Sequence, residues 1–197
     1  MDSESKEFFN RTNTAATTQT QFRFNQESIP MMARKTIRPE DVVALVDTRE
    51  QLPLDLSPLQ VESTTLQSGD YSVRGLEDKI RIERKSLSDL LGCVGRDRER
   101  FEREIERLAA FPIAVLLIES SWPEIEMGQW NSKIAPSQVI GSLLSWQTRG
   151  IAIHMTHDHE RAGRHAARLL FTTVRHEWER LQTLTSSIQV ESNTGGE

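Results

Sequence analysis

At 197 residues the chain is long enough for one domain with a real core and only marginally long enough for two. Its formal net charge of -5 excludes a protein that holds nucleic acid by bulk charge, so any contact with phosphate has to come from a local arrangement. One cysteine, Cys93, excludes a disulfide framework and a multi-thiolate zinc site, fits a reducing compartment, and reads as a small semi-buried apolar residue.

The chain opens MDSESKEFFN, which is acidic and lacks a signal-type apolar segment, and no later run approaches membrane-spanning length. A soluble intracellular protein, of cytoplasm, nucleoid or nucleus, is therefore expected, with no membrane partner. Residues 1–38 are rich in Thr, Asn, Gln and Ser without period and read as a flexible polar arm. The globular domain is expected over 39–182, with a flexible tail over 183–197.

The apolar run Val42 to Val46 reads as a buried strand that delivers Asp47 at its end. A proline-bearing loop follows, and LQVESTTLQSGDYSV predicts a strand, a tight bend at Gly69 and a second strand from about Asp70. RGLEDK reads as a hairpin turn and IRIERK as the returning strand. SLSDLLGCVG predicts a short helix capped by Ser86 and closed at Gly92 or Gly95. Phe101, Ile105 and Leu108, spaced four and three apart, place an amphipathic helix before Pro112. IAVLLIES is a buried strand, and the segment with Trp122 and Trp130 reads as loop-like. APSQVIGSLLSWQTRG is a helix, IAIHMT a strand, and a long final helix starts near His157. Strands interleaved with helices imply an α/β fold around one mainly parallel or mixed sheet.

Within IRIERK, alternation sends Arg81, Glu83 and Lys85 to one face and Ile80, Ile82 and Arg84 to the other. If the hairpin from Asp70 to Lys85 pairs beside the Val42 to Asp47 strand, the carboxylates of Asp47, Asp70 and Glu83 converge at one rim. Oxygen ligands of that kind suit Mg²⁺ or Mn²⁺, which keep several waters for a substrate phosphate. Lys85 would offset charge at phosphorus, so the chemistry such a site serves is phosphodiester hydrolysis. An acid followed by Glu-x-Lys also occurs on ordinary solvated strand edges, and order and context decide between the two.

Read together, VDTRE, SGDY, IERKSLSDLL and RERFEREIERL resemble the nuclease domain of the XPF family of structure-specific endonucleases. The family pattern is Gly-Asp, a variable stretch, Glu-Arg-Lys, three residues and Asp; Gly69, Asp70, Glu83, Arg84, Lys85 and Asp89 match it in order. The resemblance implies a restriction-endonuclease-like core, with a central mixed sheet flanked by helices, a divalent metal site (Mg²⁺ or Mn²⁺) and cleavage of branched or junction-containing DNA. By resemblance Asp70 and Glu83 are metal ligands, Asp47 is a further acidic contributor, and Lys85 is the catalytic lysine. Arg84 would brace the site from the opposite face through Asp89 or Glu50, and Arg49 is a candidate phosphate or carboxylate partner.

Family members commonly carry a tandem helix-hairpin-helix module and some a helicase, and these residues show neither pattern. Substrate selection is then expected from the domain itself, from the arm with Arg23, Arg34 and Lys35, or from a separate DNA-targeting partner. Arg96, Arg98, Arg100 and Arg103 are candidate DNA contacts, although the acids interleaved with them also fit a solvated helix. His154, His157, His159, His165 and His176 read as structural or solvent-facing. Trp146 and Trp178 fit either core or a homodimer contact through residues 135–182, the region the resemblance implies. The rival readings are a catalytically silent DNA-binding or scaffolding subunit and a restriction-like nuclease without junction preference.

Overall fold

The computed structural model describes residues 36–193, so nearly all of the expected arm, including Arg23, Arg34 and Lys35, lies outside the described residues. The strands are β1 (Val43–Asp47), β2 (Gln60–Thr64), β3 (Tyr71–Val73), β4 (Ile80–Ser86), β5 (Ile113–Glu119) and β6 (Ile151–Met155). The helices are α1 (Leu87–Val94), α2 (Arg98–Leu108), α3 (Trp122–Met127), α4 (Pro136–Gln147) and α5 (His159–Asn193). The strands form one sheet in the order β2-β1-β3-β4-β5-β6. Only the β1–β3 and β3–β4 pairings are antiparallel, which makes the sheet mixed.

Both faces of the sheet are covered, and the side-chain period of two divides the core accordingly. On one face Ala44, Val46, Tyr71, Val73, Ile80, Ile82, Val115 and Leu117 pack with Ala162, Ala166 and Leu170 of α5. On the other, Ala114, Leu116, Ile118 and Ile151 pack with residues of α1 to α4, among them Phe101, Ile125 and Trp146. Trp146 is fully buried, edge-on to Phe101 at 5.0 Å between centroids, which gives it a core role. Cys93 is likewise buried.

The helix ends follow from local chemistry. Ser86 accepts a hydrogen bond from the Asp89 amide and caps α1, which closes at Gly95. The segment read as loop-like contains α3, because Ser121 and Glu124 cap one another's backbone and Gly128, in the left-handed region at φ 63°, ends the helix. The tail expected from Thr183 is instead helical through Asn193. Hydroxyls of Thr183, Thr185, Ser186 and Ser187 donate to carbonyls four residues back, so this polar stretch keeps its backbone partners within the helix. Leu181, Leu184 and Ile188 remain exposed along it. No helix among the described residues is long and apolar enough to cross a membrane.

Candidate active site

The conditional pairing on which the site depends is present. β3 lies between β1 and β4, with Val46 opposite Tyr71 and Tyr71 opposite Ile82. Beyond that register the Asp47 amide donates to the Asp70 carbonyl and the Asp70 amide to the Ile82 carbonyl, each at 2.8 Å. Asp47 at the end of β1 and Asp70 just before β3 therefore lie level with Glu83 in the middle of β4, on three adjacent strands. Gly69 makes the bend, at φ 70°, where an added Cβ would stand 3.2 Å from the Ile82 carbonyl oxygen.

Asp70, Glu83 and Lys85 act on one another. Lys85 Nζ donates to Glu83 and, at 3.2 Å, to the Arg84 carbonyl, and it lies 5.3 Å from the Phe101 ring centroid. Asp70 accepts the Arg84 amide at 2.8 Å. Burial, against the pull of Lys85 and with the push of Asp70, raises the Glu83 carboxyl to about 7. Burial also lifts Asp70 above the ordinary carboxylate value despite Lys85. Desolvation opposes the Lys85 ammonium, yet the two acids outweigh it and hold its pKa above the usual lysine value. Two carboxyls whose joint ionisation is costly, facing one buried ammonium, suit a divalent cation with hard oxygen donors, which would relieve the repulsion.

Asp47 stands apart from this pair in its bonding. Arg49 grips it from Nε at 2.7 Å and Nη2 at 3.1 Å, and the Leu66 amide donates to it at 2.6 Å. Burial works against its charge, but Arg49 and these amides outweigh it and hold its pKa below the ordinary value. Among the described residues no group of three or more acidic, histidine or cysteine side chains is placed to hold one metal ion. Asp47 thus lies level with Asp70 and Glu83 but differs from them in that both its oxygens already accept from Arg49 and Leu66. Arg49 also donates to the Leu66 carbonyl at 2.7 Å, tying two loops at the site together.

Arg84 points to the α5 face and reaches Glu50, one of the two partners expected, but not Asp89, and its stronger partner was not foreseen. Its main partner is Glu119, with a weaker contact from Nη1 to Glu50 at 3.4 Å. Asp89 pairs with Ser86 Oγ at 2.7 Å, which secures the start of α1. Glu119 also meets His159 Nδ1 at 2.7 Å, linking the end of β5 to the first turn of α5.

Sequence reasoning missed Glu119 and also Glu104, which accepts from Ser68 Oγ at 2.6 Å and the Gly69 amide at 3.2 Å. Glu104 fixes the bend that carries Asp70. Of the four candidate arginines on or near α2, Arg98 donates to Ser142 at 3.0 Å and Arg96 pairs with Asp97 at 3.3 Å. Arg100 and Arg103 are exposed. Among the histidines, His154 and His165 meet each other at 2.7 Å.

A mixed six-stranded sheet covered by helices on both faces is the restriction-endonuclease-like fold. The ERCC4 domain family matches residues 46–169, more than half of the chain. The chain belongs to that family. Two solved structures are similar to it: XPF from Aeropyrum pernix, at 22% identity and TM-score 0.52, and the same protein in complex with DNA, at 22% identity and TM-score 0.53. They cover 68% and 71% of this chain, which in turn spans 61% and 66% of theirs, less than two thirds of either. No curated protein matches.

Proposed function

We propose that the domain is a DNA endonuclease in which Asp70 and Glu83 hold a divalent ion, Mg²⁺ or Mn²⁺, and Lys85 serves the scissile phosphate. The largely buried Asp70, Glu83 and Lys85 cluster on an ERCC4 domain frame carries this reading. The ion, when bound, supplies water activation and charge neutralisation at the leaving oxygen. The chain's own groups do the rest: Glu83 keeps Lys85 protonated and aimed, Lys85 can shift its contact to a phosphate oxygen as negative charge builds there, and Arg84 fixes the strand from behind. A relative solved with DNA supports nucleic acid as substrate. Preference for flaps, forks or junctions belongs to the same proposal, as does DNA targeting by a separate partner.

We also propose a homodimer through residues 135–182, supported by the edge strand β6 and by Leu144, 52% exposed on α4. Leu144→Glu should then give monomers on sizing, and an unchanged dimer would move the contact elsewhere.

The deciding experiment is cleavage of labelled flap, fork, three-way junction, duplex and single-stranded DNA with Mg²⁺, Mn²⁺ or EDTA, beside Glu83→Gln. Metal-dependent cutting near the branch that vanishes in the variant is expected. Binding without cutting in every metal overturns the catalytic reading in favour of a scaffold, and equal cutting of plain duplex removes the junction preference.

A further inference from the structure

Arg81 stands on β4 two residues before Glu83 and on the same face. Its side chain is 6% exposed, and its Nε and Nη1 are buried with no hydrogen-bond partner. The guanidinium carbon lies 4.8 Å from the Phe111 ring centroid, and an added Cβ on Gly69 would reach 3.4 Å from Arg81 Cδ. Glu77 and Asp47 are the acids whose charge acts on it. Glu77 is solvent-exposed, and Asp47 is committed to Arg49 and Leu66.

A guanidinium stays charged at any working pH, and one contact with an aromatic face returns far less than its desolvation costs. An arginine kept in this state is short of one anion. The planar fork suits a phosphate better than an ammonium would. Two residues along a strand span about 6.6 Å, comparable with the step between consecutive backbone phosphates of a nucleic-acid strand.

We propose that Arg81 is a phosphate receptor, taking the backbone phosphate next to the scissile one and so setting the register of the DNA strand over Asp70 and Glu83. The inference rests on the nuclease reading. It makes Arg81 a positioning residue: it holds the strand and leaves the chemistry to its neighbours.

The test measures affinity of the full chain for a labelled flap DNA in EDTA, where no cutting occurs, across about 50 to 200 mM salt. Arg81→Met keeps the length and removes the charge. Its slope of log K against log salt should be shallower by about 0.7 to 0.9, one phosphate contact, with no fall in melting temperature because an unpaired charge has been removed. Should the methionine variant fail to fold, Arg81→Lys substitutes: it should keep the slope, since one positive charge remains, and lose affinity with the fork.

A methionine variant with the wild-type slope and affinity overturns the inference, as does a lysine variant that binds like the wild type. Wild-type protein that binds no DNA would overturn the nuclease reading itself, which separates the two failures.

Discussion

Arg84 meets Glu119 through two nitrogens, Nε at 2.7 Å and Nη2 at 3.2 Å, and so ties β4 to β5 on the face opposite Glu83 and Lys85. Both side chains are nearly buried, 9% and 11% exposed. Glu119 also takes His159, and Arg84 also reaches Glu50, so one carboxylate and one guanidinium join four chain segments.

Removing one member of a buried ion pair leaves the other uncompensated. Glu119→Ala should therefore cost about 3 kcal/mol in urea unfolding, with cleavage falling because β4 loses its rear support. A loss below about 0.5 kcal/mol, the range of ordinary surface substitutions, would show that the pair contributes little.

Gly69→Ala tests the bend that carries Asp70. At φ 70° an L side chain is strained, and the new Cβ would crowd the Ile82 carbonyl at 3.2 Å. The strain alone should cost about 1–2 kcal/mol, and cleavage should drop further than stability because Asp70 moves with the bend. Wild-type turnover in a folded variant would show that the Asp70 position tolerates the change.

Protons and metal should compete at Glu83. Its folded pKa of about 7 lies above its ordinary 4.5, so the folded state binds more protons between those values. The metal-free protein should then lose stability as pH rises across that window, whereas the rise in melting temperature on adding Mg²⁺ should be larger near pH 8 than near pH 6. Glu83→Gln should flatten both trends. A metal effect independent of pH would remove Glu83 from the ligand set.

The His154 and His165 pair gives a second titration with the opposite sign. Burial lowers both pKa values, His165 adding to the fall at His154 and Arg168 to that at His165. Because the unfolded chain takes up these protons first, stability should be full above about pH 6.5 and decline as pH falls below it. Thermal melts of His165→Gln should show a shallower decline than the wild type; identical pH profiles would mean that His165 binds its proton equally well folded and unfolded.

The motif was readable in the sequence because its parts are local. Period two along β4 separates Glu83 and Lys85 from Arg84, and the spacing from Ser86 to Asp89 announces a cap. Partners that arrive from a distance were not readable: Glu119 reaches Arg84 from thirty-five residues away and ends an apolar strand that offers no hint of function. Glu104 was hidden among alternating charges on α2, where a buried acid and a solvated one look alike. Asp47 was placed correctly at its strand end, but its capture by Arg49 depends on how the following turn folds back. The sequence Ser121-Trp-Pro-Glu124 did contain a capping box, and reading the proline as a loop signal concealed α3.

The two-faced arrangement of β4 restricts how the chain can vary in length. Gaining or losing one residue between Ile80 and Glu83 would turn the rest of the strand over, presenting Arg84 on the face that holds Asp70 and driving Glu83 and Lys85 against α5. Two-residue changes would preserve the faces but shift the triplet along β5, away from Glu119. Length variation among related chains should therefore collect in the turn between Val73 and Ile80, leaving the span from Ile80 to Ser86 constant.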